Sequence, residues 1–550
     1  MKKKSIIILF ILTLFIIVLT GCNKVDIYDI NIIFTSDVHC AIDKNIGYSS
    51  IKAYKDMLSK TNKYVTLVDT GDAIQGNIVG SISKGEYIIN IMNKAGYDLY
   101  TIGNHDFDYG IDALSNVITK FNGQVLSCNL SYIGENEDKF SKVKPYSIKE
   151  YGNTKVGYIG ITTPETFVTS NPSTFIEDGK LAYSLSSDTK EAFYKCVQDN
   201  INECKNLGCK YIILLSHLGY GSEYIDYGSI DLLKNISGVD AVLDGHSHKD
   251  IPCSYMKDKD NKNVPICTAG TKLKEFGRLT ITSFGNILIE FINSYDEKDT
   301  ELSLYIDSIN SELSQIANKI VAKSDIELKI TDSSGTRITR NQETAIGNLI
   351  ADSYRLETGA DIGIVNGGGI RSNIPSGDLT YQQIQAVNPF GNTIVIVEAK
   401  GSEIRDFLEF ASRYTEFNYK DENGQPLGEC GAFAQVSGLK YTIDTSISSS
   451  VTIDSIGNFL DITGKRRVKD IKVLSGNEYI DLDLEKTYTI ASHNYLLLEG
   501  GDGATMFKDN NVLNNNVSKD YEVLIAYIMD YLGGNLSDKY ANTEGRITII

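Results

Sequence analysis

Residues 241–248 read AVLDGHSH. Three apolar residues, Ala241 to Leu243, form a short buried strand; Asp244 follows, and then two imidazoles two residues apart, His246 and His248. Open α/β sheets build their sites at the carboxyl ends of strands, so polar groups with metal-binding chemistry at this point decide how the rest of the chain is read. The arrangement recurs upstream. Ile32-Ile33-Phe34 leads into TSDVH with Asp37 and His39; Tyr64 to Val68 leads into DTGD with Asp72; Leu99 to Ile102 leads into GNHDFD with Asn104, His105 and Asp108; Tyr211 to Leu215 leads to His217. The chain has six histidines, and only His493 stands apart from this pattern. With Val156 to Ile161 and Val264 to Cys267, these β-branched runs alternate with amphipathic stretches at Ile51 to Leu58, Tyr87 to Met92 and Lys190 to Leu207. That alternation predicts a layered α/β domain around a largely buried sheet.

Taken singly, each of these polar residues reads as a hydrogen-bonded core group. Together they are a donor set. Imidazole, carboxylate and amide oxygen without thiolate suit Zn²⁺, Mn²⁺ or Fe ions, and one carboxylate such as Asp72 can bridge two ions about 3.5–4 Å apart. Cys40 follows His39, but neighbours on an extended chain point to opposite faces, so it counts as structural.

In order, DxH, GD, GNHD, a single His after a strand and GHSH resemble the signature of calcineurin-like metallophosphoesterases. The second half adds Arg340-x-x-Glu343, Asn366-Gly-Gly-Gly-Ile-Arg371, Asn388-Pro-Phe-Gly391 and Gly500-Gly-Asp-Gly503. Over nearly its whole length the chain is therefore similar to exported 5′-nucleotidase/UDP-sugar hydrolases. The resemblance implies an N-terminal α/β/β/α sandwich joined by a helix to a C-terminal α+β substrate-binding domain. It implies that Asp37, His39 and His248 hold one metal ion, that Asn104, His217 and His246 hold a second, and that Asp72 bridges them. It makes His105 catalytic as a cationic imidazole, oriented by Asp108.

In the second half, Gly367, Gly368 and Gly369 let the backbone approach an anion, and Arg340 and Arg371 each offer a bidentate fork to phosphate. By the same resemblance Phe390 is one of two aromatic plates around a base, and Asn366 and Asp502 contact the nucleoside. The family commonly has the second plate six residues before the Asp of GGDG. That position is Leu496 here, and Tyr495 lies one residue earlier, so either residue is left facing the base.

The boundaries expected are a signal peptide over 1–21, a metallophosphoesterase domain over 22–295, a helical linker over 296–325 and a substrate-binding domain over 326–550. The linker helix rests on Tyr305, Ile309, Leu313, Ile316 and Ile320, spaced by 4, 4, 3 and 4. Because metals and arginines fall on opposite sides of it, chemistry is expected to need the domains closed over the substrate. At the N-terminus, three lysines precede the apolar run Ile6 to Leu19, too short for a spanning helix, and Leu19-Thr20-Gly21-Cys22 resembles a bacterial lipobox. Cys22 is thus expected to be acylated and to hold the protein on the outer side of the membrane; an uncleaved anchor is the alternative. Of the remaining eight cysteines, Cys253 and Cys267 flank a polar turn and form the best candidate pair.

With 53 basic and 71 acidic residues in 550, the net charge is −18, which argues against a nucleic-acid duplex as partner. No protein partner is expected. Three functions fit: a metal-dependent phosphatase acting on nucleoside 5′-monophosphates and on UDP-sugars; a 2′,3′-cyclic-nucleotide phosphodiesterase with 3′-nucleotidase activity; and a surface nucleotide-binding adhesin with an inactive site. The intact donor set argues against the third.

Overall fold

The computed structural model describes residues 28–170, 172–177, 180–220, 227–248, 253–421, 424, 426–536 and 538–550. The expected signal peptide and Cys22 lie outside the described residues.

The first domain has two six-stranded sheets. One runs, edge to edge, through Ile287–Ile292, Phe276–Ile281, Ile30–Thr35, Tyr64–Asp69, Leu99–Thr101 and Gln124–Leu126. The other runs through Ser254–Lys257, Asn263–Thr268, Ala241–Asp244, Tyr211–His217, Thr154–Thr162 and Tyr146–Tyr151. The inner strands of both are parallel, with Ile32 opposite Thr66 and Leu214 opposite Val242. Between the sheets lie Ile32, Phe34, Val68 and Leu99 from one and Tyr158, Ile213, Leu215 and Leu243 from the other. Each large apolar side chain so buried contributes roughly 1.5–3 kcal/mol. A side chain at position 277 would place its Cβ 1.9 Å from the Phe34 ring, so only glycine lets that strand pass. Helices Gly47–Ser59, Glu86–Ala95 and Ile111–Lys120 cover one outer face, and Lys190–Asn206 and Ser229–Asn235 cover the other. This is the α/β/β/α sandwich.

The second domain is α+β. Its five-stranded sheet runs through Ala434–Ser437, Ile362–Asn366, Thr487–His493, Ile394–Lys400 and Val512–Asn514. Alternate residues face opposite cores: Ile362, Ile364, Val395 and Val397 pack with helix Gly401–Ala411, whereas Val365 and Ile394 pack with helices Ala345–Thr358 and Asp520–Asp530. Glu343 is structural. Its carboxylate accepts from Asn348 Nδ2 and from the backbone amides of Glu544, Arg546 and Ile547, pinning the strand Ile547–Ile549.

Two sequence expectations shift. The connecting helix spans Thr300–Ala317, and its buried stripe is Leu302, Ile306, Ile309, Leu313 and Ala317; Ile316 is exposed, and Ile320 opens the strand Ile320–Ser324. The helix packs on the first domain's core, while that strand pairs with Gly377–Thr380 of the second domain. The chain therefore crosses between domains at Asn318 and Lys319, a far shorter passage than 296–325. Cys253 and Cys267 sit together beside the paired residues Ser254 and Ile266, and both are free thiols. Among the described residues no helix is long and apolar enough to cross a membrane.

Candidate active site

The polar residues read from the strand ends converge at the carboxyl ends of both sheets. Asp37 N donates to Gly71 O and His39 N to Asp72 O, each at 3.0 Å, stitching two of the loops together. The backbone is left-handed at Asp37, His39, Asp72, His246 and His248, with φ between 45° and 73°. Gly71, with φ +106°, has no room for a Cβ, which would lie 2.5 Å from His217 Nδ1.

Donor atoms of Asp37, His39, Asp72 and His248 all lie within 4.8 Å of one another. His39 Nε2 is 3.0 Å from His248 Nε2, which is 3.4 Å from Asp37 Oδ1. On the other side of Asp72, His217 Nε2 is 3.1 Å from Asp72 Oδ2, and His246 Nδ1 is 2.9 Å from Asn104 Oδ1.

The tautomers follow from what the outer ring nitrogens touch. His39 Nδ1 faces Gln75 O at 3.1 Å, His217 Nδ1 faces Thr70 O at 2.7 Å, and His246 Nε2 faces Glu165 Oε2 at 2.9 Å. Each of these nitrogens donates, so the opposite nitrogen points a lone pair inward. With the His217 ring neutral, its Nε2 and Asp72 Oδ2 are both buried acceptors 3.1 Å apart, not aligned for a hydrogen bond and held together only if a positive charge lies between or on them. Such a set requires a cation.

The titration directions agree. Burial pushes the His39 imidazolium down to about 3, leaving a neutral ligand. Burial opposes a charge on His217 too, but the Asp72 and Asp37 carboxylates outweigh it and raise the ring to about 10, so that without a metal ion a proton takes the place of one at Nε2. The residues fit divalent metal ions: Asp37, His39, Asp72 and His248 would surround one, and Asp72, Asn104, His217 and His246 a second. Bound there, the ions would lower the pKa of a water and neutralise phosphoryl oxygens.

His105 lies at the rim. Its amide donates to Asp72 Oδ1 at 2.8 Å, and its Nδ1 is 2.9 Å from Asp108 Oδ2. Burial, with Arg371 nearby, pushes its imidazolium down to about 3. The neutral ring is favoured while the site holds no substrate, and a dianion beside it would favour the cationic imidazole expected from the sequence.

The second domain supplies the facing wall. The Phe390 ring lies 5.5 Å from that of His105, with the Arg371 guanidinium 5.7 Å from the Phe390 ring centre. Arg371 Nη1 donates to Gly368 O at 3.4 Å. Arg340 is pushed down to about 9 by burial, and its Nε has no partner. Asn366 is held from both ends: its Nδ2 donates to Asp502 Oδ2 at 2.6 Å, and its Oδ1 lies 2.8 Å from His493 Nε2. Leu496 is in the core, whereas Tyr495 lines the cavity and its hydroxyl donates to Val168 O of the first domain at 2.6 Å. The cavity so enclosed has a volume of about 300 Å³, at the lower end of small-molecule sites.

Sequence reasoning missed several residues of this cavity. Glu165 follows a strand by only three residues, in TTPE, but acts through His246. Arg337, three before Arg340, lines the cavity and is paired with Glu429 through Nε at 2.8 Å and Nη2 at 2.5 Å. Arg413 and Tyr414 lie on the far wall, with the guanidinium 4.6 Å from the tyrosine ring centre. His493, left aside in the sequence pattern, orients Asn366.

A buried Asp/His cluster at strand ends, faced by arginines from a second domain, defines a metal-dependent phosphoester hydrolase. Residues 30–250 match the calcineurin-like phosphoesterase family, whose members use divalent metals, and residues 320–509 match the 5′-nucleotidase C-terminal domain. The chain belongs to the family that joins these two domains. It is 27% identical to a snake venom 5′-nucleotidase from Gloydius brevicauda, over 94% of this chain and 88% of the relative. It is 26% identical to the trifunctional nucleotide phosphoesterase protein YfkN of Bacillus subtilis, over 95% of this chain but only 35% of that longer protein. The crystal structure of a 5′-nucleotidase precursor from Thermus thermophilus superposes with a TM-score of 0.78 at 26% identity, covering 95% of this chain and 99% of that one.

Proposed function

We propose that the protein is an extracytoplasmic 5′-nucleotidase, held on the membrane by a lipid at Cys22 and using two divalent ions, Zn²⁺ or Mn²⁺, to release phosphate from nucleoside 5′-monophosphates. The observation that carries this reading is one cavity that joins Asn104, His246 and His248 of the first domain's cluster to Arg340, Arg371, Asn366, Phe390, Tyr495 and Asp502 of the second. A phosphate ester carried by a planar base matches it: anion toward the metals and arginines, sugar hydroxyls toward Asn366 and Asp502, base against Phe390 and Tyr495. UDP-sugars present the same phosphates and base and are the second substrate class.

The similarity to YfkN, named as trifunctional, supports testing a cyclic phosphodiesterase and 3′-nucleotidase activity beside it. The test is a phosphate-release panel on the full chain with AMP, 3′-AMP, 2′,3′-cyclic AMP, ADP and UDP-glucose. AMP is expected to be hydrolysed with the highest kcat/KM. Preference for 2′,3′-cyclic AMP and 3′-AMP would replace this reading with the phosphodiesterase, and no turnover in the presence of Mn²⁺ or Zn²⁺ would replace it with a binding protein.

A further inference from the structure

The site occupies one end of the first domain; the other end has a composition of its own. There the amino ends of the parallel strands meet the turn Thr282–Asn286, because Ile30 pairs with Ile281 and Ile281 with Ile287. Phe284, at the tip of that turn, is 90% exposed, and Gly285 beside it has φ +89°. A phenylalanine held out on a tight turn to this extent adds almost nothing to the buried core, and it counts here because other aromatic rings stand around it. Tyr28 is 42% exposed and next to it: Ser283 N donates to Asp29 Oδ1 at 2.7 Å. The Tyr28 ring meets Tyr64 edge-on at 5.8 Å, and Lys63 lies 5.1 Å from the Tyr28 ring centre. On the other side of the turn, the position of a Cβ on Gly285 is 3.0 Å from the Tyr211 hydroxyl, and Lys210 lies over the Tyr211 ring at 5.2 Å.

This end of the domain is therefore a set of aromatic rings interleaved with Lys63 and Lys210, with exposed Lys60 beyond them. Its acidic groups are engaged: Asp29 accepts from Ser283, Glu150 pairs with Lys155 at 3.1 Å, Asp98 pairs with Lys55 and Lys149, and Asp240 pairs with Lys262. Aromatic rings with lysines are the composition of surfaces that sit at the level of lipid headgroups. The net charge of −18 does not prevent such contact, because charges beyond a Debye length of about 8 Å are screened and the lysines here are the near ones.

We infer that this end, with Phe284 at its tip and Tyr28, Lys63 and Lys210 around it, is a membrane-contact surface that rests on an anionic bilayer. The inference rests on the proposed lipid at Cys22. Tyr28 lies six residue steps after Cys22, and at about 3.3–3.6 Å per step these reach no farther than about 20 Å, so the anchored domain has this end, and not the site, next to the lipid. The cavity lies at the opposite ends of the same strands and faces the medium.

The chain contains no tryptophan, which gives a direct test. Phe284→Trp introduces a single indole at the tip, and Phe417→Trp introduces one at an exposed position of the second domain. Each full chain is reconstituted on phosphatidylglycerol/phosphatidylcholine vesicles with brominated acyl chains, attachment is scored by flotation, and phosphate release reports folding. The expected result is that both variants float and that bromine quenches the emission of Phe284→Trp at least twofold, with a blue shift, while that of Phe417→Trp is unchanged. Flotation without quenching of Phe284→Trp would overturn the contact surface and leave the anchor standing. Failure to float would overturn both.

Discussion

His246 stands between two carbonyl-type oxygens, with Nδ1 2.9 Å from Asn104 and Nε2 2.9 Å from Glu165. The Glu165 carboxylate fixes the tautomer that leaves Nδ1 free to bind a metal ion, in the manner of a carboxylate that orients a ligating imidazole. Glu165→Ala is expected to weaken one of the two ions about 10–100-fold while the other stays, as read by metal content after dialysis, and excess metal should restore turnover. Glu165→Gln, which still accepts through its amide oxygen, should lie between. Equal loss of both ions in Glu165→Ala would show that the carboxylate supports the whole cluster rather than His246.

Asp72 is the residue the two halves of the cluster share. Its Oδ2 lies 3.1 Å from His217 Nε2 and 3.8 Å from His39 Nε2. Asp72→Ala should therefore lose both ions together, and chelation of the native protein should abolish phosphate release, with Mn²⁺ or Zn²⁺ restoring it. A mutant that kept two ions per chain would remove Asp72 from the bridging position.

Chemistry and binding separate between His105 and Arg371. His105→Ala is expected to lower kcat by about 10²–10⁴-fold with metal content unchanged, since the ring sits at the rim with Asp108 as its partner. Arg371→Ala, on the opposite domain, should mainly raise KM. Metal loss in His105→Ala would make the residue a ligand.

Tyr495 is expected to do two things that different substitutions separate. Its hydroxyl bonds to Val168 across the domain boundary and accepts from the Asp502 amide at 2.9 Å. Tyr495→Phe keeps the ring and should lower turnover of nucleotides and of p-nitrophenyl phosphate alike, by about 5–150-fold for the two hydrogen bonds lost at about 0.5–1.5 kcal/mol each. Tyr495→Ala should add a loss for nucleotides only, because stacking on a base is worth about 1–3 kcal/mol. A fall for p-nitrophenyl phosphate equal to that for AMP in Tyr495→Ala would deny the ring a role as base plate.

The strands and the polar residues at their ends were legible because both leave a local mark: a buried strand is a run of β-branched residues, and Asp37, Asp72, Asn104, His217 and His246 each follow one directly. Which strands share a sheet leaves no such mark, so the strand pattern alone predicts one buried layer where the chain folds two. The connecting helix was found but rotated, because Tyr305, Ile316 and Ile320 satisfy the same spacing as the residues that are buried. Glu165, His493 and Arg337 escaped for one physical reason. They act through His246, Asn366 and Glu429, and a partner distant in sequence is visible only once the chain is folded.

The left-handed backbone at Asp37, His39, Asp72, His246 and His248 limits how this protein can change over generations. Asn, Asp, His and Gly accept that conformation readily, whereas a β-branched residue is strained there by sterics alone. One oxygen or nitrogen donor can therefore replace another without remodelling the loops, so a lineage can drift in metal preference by single steps. An exchange for threonine or valine meets a backbone barrier before any question of catalysis arises.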